Sequence, residues 1–154
     1  MPSRSVGQDN YHFKSFNLAR IIALDYGKKR TGIAVTDPLK IIATALTTVD
    51  SNELIGFLKK YMQQEPVEKI LIGYPLNFDD SPTDATPLVE KFIRKFANVF
   101  PELPVEKVDE RLTSRMASRS IAGMGLKKKD REKKELIDAV SAVIMLQEYL
   151  ESHS

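Results

Sequence analysis

The feature that most narrows the fold is a set of short apolar runs whose spacing changes along the chain. Residues 19–24 (ARIIAL), 30–36 (RTGIAVT) and 41–49 (IIATALTTV) are rich in aliphatic and β-branched side chains, punctuated by Asp25-Tyr26-Gly27 and by Asp37-Pro38. Runs of this kind, so close together, predict three strands in an antiparallel meander. After residue 49 the rhythm changes. Asp50 with Glu53 three positions on forms a capping-box pattern before Leu54, Leu58, Tyr61 and Met62 at helical spacing, which predicts a helix ending near Gln64. Residues 69–74 (KILIGY) predict a fourth strand, and Thr86-Pro87 opens a helix with Leu88, Phe92, Phe96 and Phe100 on one face. Residues 105–108 predict a fifth strand, 113–122 a helix stopped by Gly123 and Gly125, and 135–150 a last helix. The fold class is therefore α/β, a mixed five-stranded sheet in which three antiparallel strands precede parallel crossovers, flanked by helices.

With 154 residues and no internal repeat, a single domain is expected over residues 18–150. Residues 1–17 lack periodicity and read as a mobile arm or an added extension, and 151–154 as a tail. The absence of cysteine excludes thiolate chemistry and disulfides, and His12 and His153 alone cannot supply a histidine-rich site. Carboxylates must carry any catalysis. A net charge of +2 is too small to announce nucleic-acid binding, so the placement of the charges matters more than their sum. With neither an apolar stretch of membrane-spanning length nor a signal-like start, a cytoplasmic setting with no membrane partner is expected.

Three acids stand in unusual places. Asp25 ends an apolar run beside Gly27 and Gly32, with Lys28 and Arg30 close by; it is a candidate metal ligand or, alternatively, a turn aspartate bonded to its own backbone. Asp109 and Glu110 close the fifth strand, and because neighbouring strand side chains face opposite ways only one can share a site with Asp25; Glu110 is the choice. The alternative is an acid balancing the dipole of the following helix. Asp138 lies in Leu136-Ile137-Asp138-Ala139-Val140, where an ionised group needs a compensating cation unless it occupies the exposed first turn. Three carboxylates meeting at one sheet edge would suit Mg2+ or Mn2+, and two such ions could serve an in-line displacement at phosphorus. Lys127, Lys128 and Lys129 open a mixed basic stretch, 125–134, that could grip a phosphate backbone or could be a solvated linker.

The chain resembles the YqgF/RuvX family of RNase H-like nucleases. The resemblance covers residues 18–150 and is carried by Leu24-Asp25-Tyr26-Gly27-x-Lys29-Arg30-x-Gly32-Ile33-Ala34-Val35-x-Asp37, by Gly73-Tyr74-Pro75-Leu76-Asn77-Phe78-Asp79, by Asp109-Glu110-Arg111-Leu112-Thr113-Ser114 and by Ile137-Asp138-Ala139. It implies an RNase H-like domain with Asp25, Glu110 and Asp138 as the catalytic, metal-binding triad. Its motifs add Asn77, Arg111, Thr113 and Ser114 to Lys28, Arg30 and Lys127 to Lys129 as nucleic-acid-binding residues. The implied activity is maturation of the 5' end of 16S rRNA, on precursor RNA or ribosomal precursor particles, with Holliday junction cleavage of branched DNA as the rival. A monomer and a homodimer both stay open, although symmetric junction cleavage would demand a dimer. One departure is Asp80, where the family usually has glycine, so the loop around it is expected to differ in shape. Two further classes are an ATPase of the actin and hexokinase type, disfavoured by the lack of a second lobe, and a non-catalytic RNA-binding assembly factor.

Overall fold

A computed structural model describes residues 18–109 and 130–153, with side chains in the second stretch from residue 139 onward. The expectations for residues 1–17 and 110–129, including the helix at 113–122, lie outside the described residues.

The sheet has the order β3-β2-β1-β4-β5. β1 (Arg20–Tyr26), β2 (Arg30–Thr36) and β3 (Ala43–Asp50) form the expected antiparallel meander. β4 (Val67–Tyr74) returns parallel to β1, and β5 (Val105–Asp109) parallel to β4. The crossovers carry α1 (Leu54–Gln64), entered through a short 3-10 turn at Ser51–Glu53, and α2 (Thr86–Val99); α3 (Asp130–Ser152) ends the described chain.

β1 is buried on both faces, which is why its sequence is a nearly unbroken apolar run. Its even-numbered residues Ile22 and Leu24 join Ile33, Val35, Ile70 and Ile72 beneath α1 and α2, packing on Leu54, Leu58, Val89, Phe92 and Phe96. Its odd-numbered residues Ile21 and Ala23 join Ala34 and Leu71 under Ala142, Met145, Leu146 and Tyr149 of α3. Two alanines on that face let the helix sit close to the strands. Tyr149 lies beside Lys69, and the Gln147 side chain accepts the N–H of Ala43, so the end of α3 covers the end of the sheet where β1 and β4 begin. The helix therefore runs antiparallel to β1, and its earlier turns approach the end of β1.

Several boundaries differ from expectation. β3 begins at Ala43 because the Asp37 carboxylate gathers the N–H groups of Leu39, Ile41 and Ile42 into a turn, leaving both isoleucines 61% exposed. α2 buries Val89 in place of Leu88, since Thr86, held by its hydroxyl to the Pro75 carbonyl and to the Thr83 N–H, sets the rotation of the helix. The Phe92, Phe96 and Phe100 rings do form core, in a chain with centroids 5.9 and 4.8 Å apart. α3 is longer than predicted, so residues 130–134 of the supposed basic loop are helical, as are Glu151 and Ser152 of the supposed tail.

Candidate active site

Asp25 is a strand residue and not a turn aspartate: β1 continues through Tyr26, and Asp25 is paired with Gly32 across β2. The alternation that buries Ile21 and Ala23 under α3 carries Asp25 onto the same face, at the end where β1 stops. Arg30 shares this face, since it lies two and four residues before Gly32 and Ala34 on β2. Its Nε is buried and has no hydrogen-bond partner among the described residues. A guanidinium donor without a partner in a fold otherwise well satisfied is a place where an anion would be welcome.

The turn between β1 and β2 is rigid. A Cβ on Gly27 would come within 2.6 Å of the Arg30 carbonyl oxygen, so no larger residue fits. Ser51 clamps the turn from the start of the 3-10 turn: its N–H donates to the Lys29 carbonyl at 2.9 Å and its hydroxyl to the Gly27 carbonyl at 2.5 Å. A hydroxyl has one hydrogen, so the buried contact of 2.8 Å to Thr31 must have Thr31 Oγ1 donating to Ser51 Oγ. Lys28 and Lys29 are thereby held exposed at the tip, next to Arg30. Asp50-Ser51-Asn52-Glu53 signalled only a helix cap in the sequence; the Asp50 side chain does accept the Asn52 N–H, but the clamp made by Ser51 was not foreseen.

At the edge of the sheet, Glu106 and Val108 of β5 face α3, Glu106 bonding to Lys69 and to the Tyr149 hydroxyl. Asp109 falls on the opposite face, with Val105, and in register with Tyr74. Asp109 is thus turned away from Asp25. Glu110, Arg111, Thr113, Ser114 and Lys127 to Lys129 lie outside the described residues. Asp138 belongs to α3, one turn before Ala142, and its side chain is likewise outside the description. Among the described residues no three carboxylate or imidazole groups come together as a metal site.

Asn77 sits in the loop after β4. Its side-chain amide donates to Ser81 Oγ and to the Pro82 carbonyl, while Asp79 accepts from the Ser81 backbone and hydroxyl, and Asp80 adopts φ +70°. The Ser81 hydroxyl and N–H hold the Asp79 carboxyl below its ordinary value. The positive φ explains why glycine would suit position 80, and the loop closes with aspartate there. Beyond it, Tyr74 donates to Glu90, which also receives Lys107 Nζ at 2.8 Å; Lys107 lowers the pKa of Glu90 and Tyr74 adds to the effect.

The family model described as RuvX, Holliday junction resolvase, matches residues 19–152. A protein of Flavobacterium psychrophilum named "Putative pre-16S rRNA nuclease" is 52% identical over 86% of this chain and 97% of its own length. Relatives of the same name from Christiangramia forsetii and Bacteroides thetaiotaomicron are 53% and 52% identical over 98% of their lengths. Among solved structures, Thermus thermophilus RuvC in complex with a Holliday junction substrate superposes with a TM-score of 0.53 at 14% identity, covering 88% of this chain and 95% of that one. A second RuvC structure from Thermus thermophilus gives 0.52 at 12% identity, over 87% and 95%. The fold is RNase H-like.

Proposed function

Because the chain belongs to the RuvX family, we propose that it is a metal-dependent nuclease that hydrolyses nucleic-acid phosphodiesters and trims the 5' end of pre-16S rRNA. The observation that carries this reading is the position of Asp25. It is a carboxylate at the carboxyl end of the central strand, on the face covered by α3, with Arg30 and the rigid Lys28-Lys29 turn around it.

The backbone supports Asp138 as a partner. Tyr149 lies level with Lys69, which is paired with Ile21; eleven residues back along α3 is about 16 Å at the helical rise, and four residues along β1 from Ile21 to Asp25 is about 13 Å. The antiparallel helix thus brings position 138 to about the level of Asp25. Glu110 follows Asp109 and completes the proposed triad. Such all-oxygen donors, in a chain with no cysteine, fit Mg2+ or Mn2+. Bound ions would supply a nucleophilic water at neutral pH and charge neutralisation at phosphorus. The chain's own residues align and hold the substrate: Asp25 fixes one side of the site, the Arg30 guanidinium places positive charge beside it, and Lys28 and Lys29 flank the path of the backbone.

A second reading, resolution of branched DNA, is favoured by the description of the family model. The deciding experiment is a cleavage panel of rRNA precursor, single strands and four-way junctions, with and without Mg2+ or Mn2+, comparing wild type with Asp25→Asn. Preferred cutting of the precursor supports RNA maturation. Cleavage that persists in excess EDTA overturns the metal-dependent reading.

A further inference from the structure

On the other face of the sheet, at the same end as Asp25, a cleft of about 230 Å³ opens between the β1–β2 turn and α2. Asp25 and Tyr26 are neighbours on a strand and point to opposite faces, so the cleft begins where the candidate site ends. We propose that this cleft holds a backbone phosphodiester of the nucleic-acid substrate, at a position away from the scissile one. The proposal rests on the nuclease reading and extends its footprint from the α3 face around the turn to α2.

Four observations support it. Lys28, Lys91 and Lys95 line the cleft, and no carboxylate does. None of these lysines has an ion-pair partner among the described residues, whereas Lys40, Lys69 and Lys107 are paired with Glu68, Glu106 and Glu90. Lys91 and Lys95 stand one turn apart on α2, where like charges repel, so folding alone gives no reason for the arrangement. The floor also offers neutral donors: the Tyr26 hydroxyl and the Asn52 amide make no side-chain hydrogen bond among the described residues. Tyr26 is fixed by stacking on Phe92 at 4.8 Å, and burial raises its pKa, which keeps the phenol protonated as a donor. Ammonium groups and an O–H donor around a small concave space, with no carboxylate in its lining, match a phosphate anion.

The cleft adjoins a second depression lined by Lys29, Arg30 and Asp50, the two sharing Lys28 and Asn52. The Asp50 carboxylate is engaged with the Asn52 N–H. A strand leaving Asp25 could therefore pass Arg30 and Lys28 and reach Lys91 and Lys95 along one cationic path.

The test is Lys91→Gln with Lys95→Gln in the full chain, using Lys59→Gln with Lys60→Gln on α1 as the charge-matched control. Binding of a fluorescein-labelled precursor oligonucleotide is followed by anisotropy in EDTA across a salt series. The cleft variant should lower the log-log salt slope by about 1.4 to 1.8 and weaken binding by about 25- to 60-fold near 100 mM salt, with the control close to wild type. Thermal melts should show the cleft variant folded and at least as stable as wild type. A slope equal to that of wild type, or an equal loss in the control, overturns the cleft and leaves the nuclease reading standing. If wild type binds the oligonucleotide but never cuts, the catalytic reading falls and the cleft survives; if it binds no nucleic acid, both fall. A melting shift of wild type with inorganic phosphate alone, lost in the variant while oligonucleotide binding is unchanged, would make this a free-phosphate pocket and also overturn the proposal.

Discussion

Ser51→Ala should loosen the cationic turn and cost more than the loss of one surface hydroxyl. Thr31 is fully buried and its O–H has Ser51 Oγ as acceptor; Gly27 O receives the Ser51 hydroxyl. Truncation leaves the Thr31 hydroxyl orphaned, at about 1–3 kcal/mol, and takes a donor from a partly buried carbonyl, at about 0.5–1.5 kcal/mol. The total is roughly 2–4 kcal/mol, or a fall in Tm of roughly 5–12 °C for a chain of this size. The bond from Ser51 N to Lys29 O survives in alanine and adds nothing to the loss. Thr31→Val keeps the volume and leaves Ser51 bonded to Gly27, so it should cost only about 1 kcal/mol. In the double variant the orphaned hydroxyl is gone, so its cost should fall below that of Ser51→Ala alone by about 1–3 kcal/mol, giving a coupling energy of about 2–4 kcal/mol. Urea denaturation of the four proteins measures this, provided the m-values agree. Costs that add to within about 0.5 kcal/mol would refute the shared hydrogen bond, and a cost of Ser51→Ala below about 0.5 kcal/mol would refute the clamp.

Asp25→Asn should bind labelled substrate about as well as wild type and cut it at least about a hundredfold more slowly, measured under single-turnover conditions; an unimpaired rate removes Asp25 from the site. The N–H of Ile42 lowers the pKa of Asp37 below its ordinary 3.8, partial burial opposes it, and the N–H groups of Ile41, Asp37 itself and Leu39 reinforce it. A depressed carboxylate stabilises the fold above its ordinary value and loses that contribution as pH falls through the folded one, so the stability gap between wild type and Asp37→Asn should be full at pH 6 and close in acid; a gap independent of pH would sink the assignment. Asp80→Gly relieves a left-handed backbone worth about 1–2 kcal/mol and gives back about 0.5–1 kcal/mol in unfolded-chain entropy, so Tm should hold or rise by a few degrees, and a clear fall in the thermal melt counts against strain at φ +70°.

The sheet was legible because each strand's burial is written into its composition. β1 and the core of β4 are apolar on both faces, and the change from short connections to helix-length ones separates antiparallel from parallel pairing. What failed were positions where one polar group overrules a local pattern. Ile41 and Ile42 look like strand, yet three N–H bonds to Asp37 make them turn. Leu88 and Val89 are equally apolar, and only the Thr86 bond to the Pro75 carbonyl decides which faces the core. Hydrophobic period cannot encode the choice between Leu88 and Val89, since either alternative turns one apolar residue to the core.

For the site, the legible part was a conflict: an acid ending an apolar strand is out of place, and Asp25 was visible for that reason. Lys91 and Lys95 conflict with nothing, because lysines on the polar face of an amphipathic helix are what solubility alone would select. Their meaning arises when Ser51 pins the β1–β2 turn beside α2 and brings Lys28 to the same cleft. The pleat then divides the labour at the end of one strand, Asp25 facing α3 and Tyr26 facing α2. A one-residue slip in the pairing of β1 would exchange the two, sending the carboxylate to the lysines and the phenol to the face under α3. The buried aliphatic ladder of Ile22 and Leu24 against Val35 and Ile33 forbids that slip, so the same packing that stabilises the sheet also fixes which face carries Asp25 and which face carries the lysine-lined cleft.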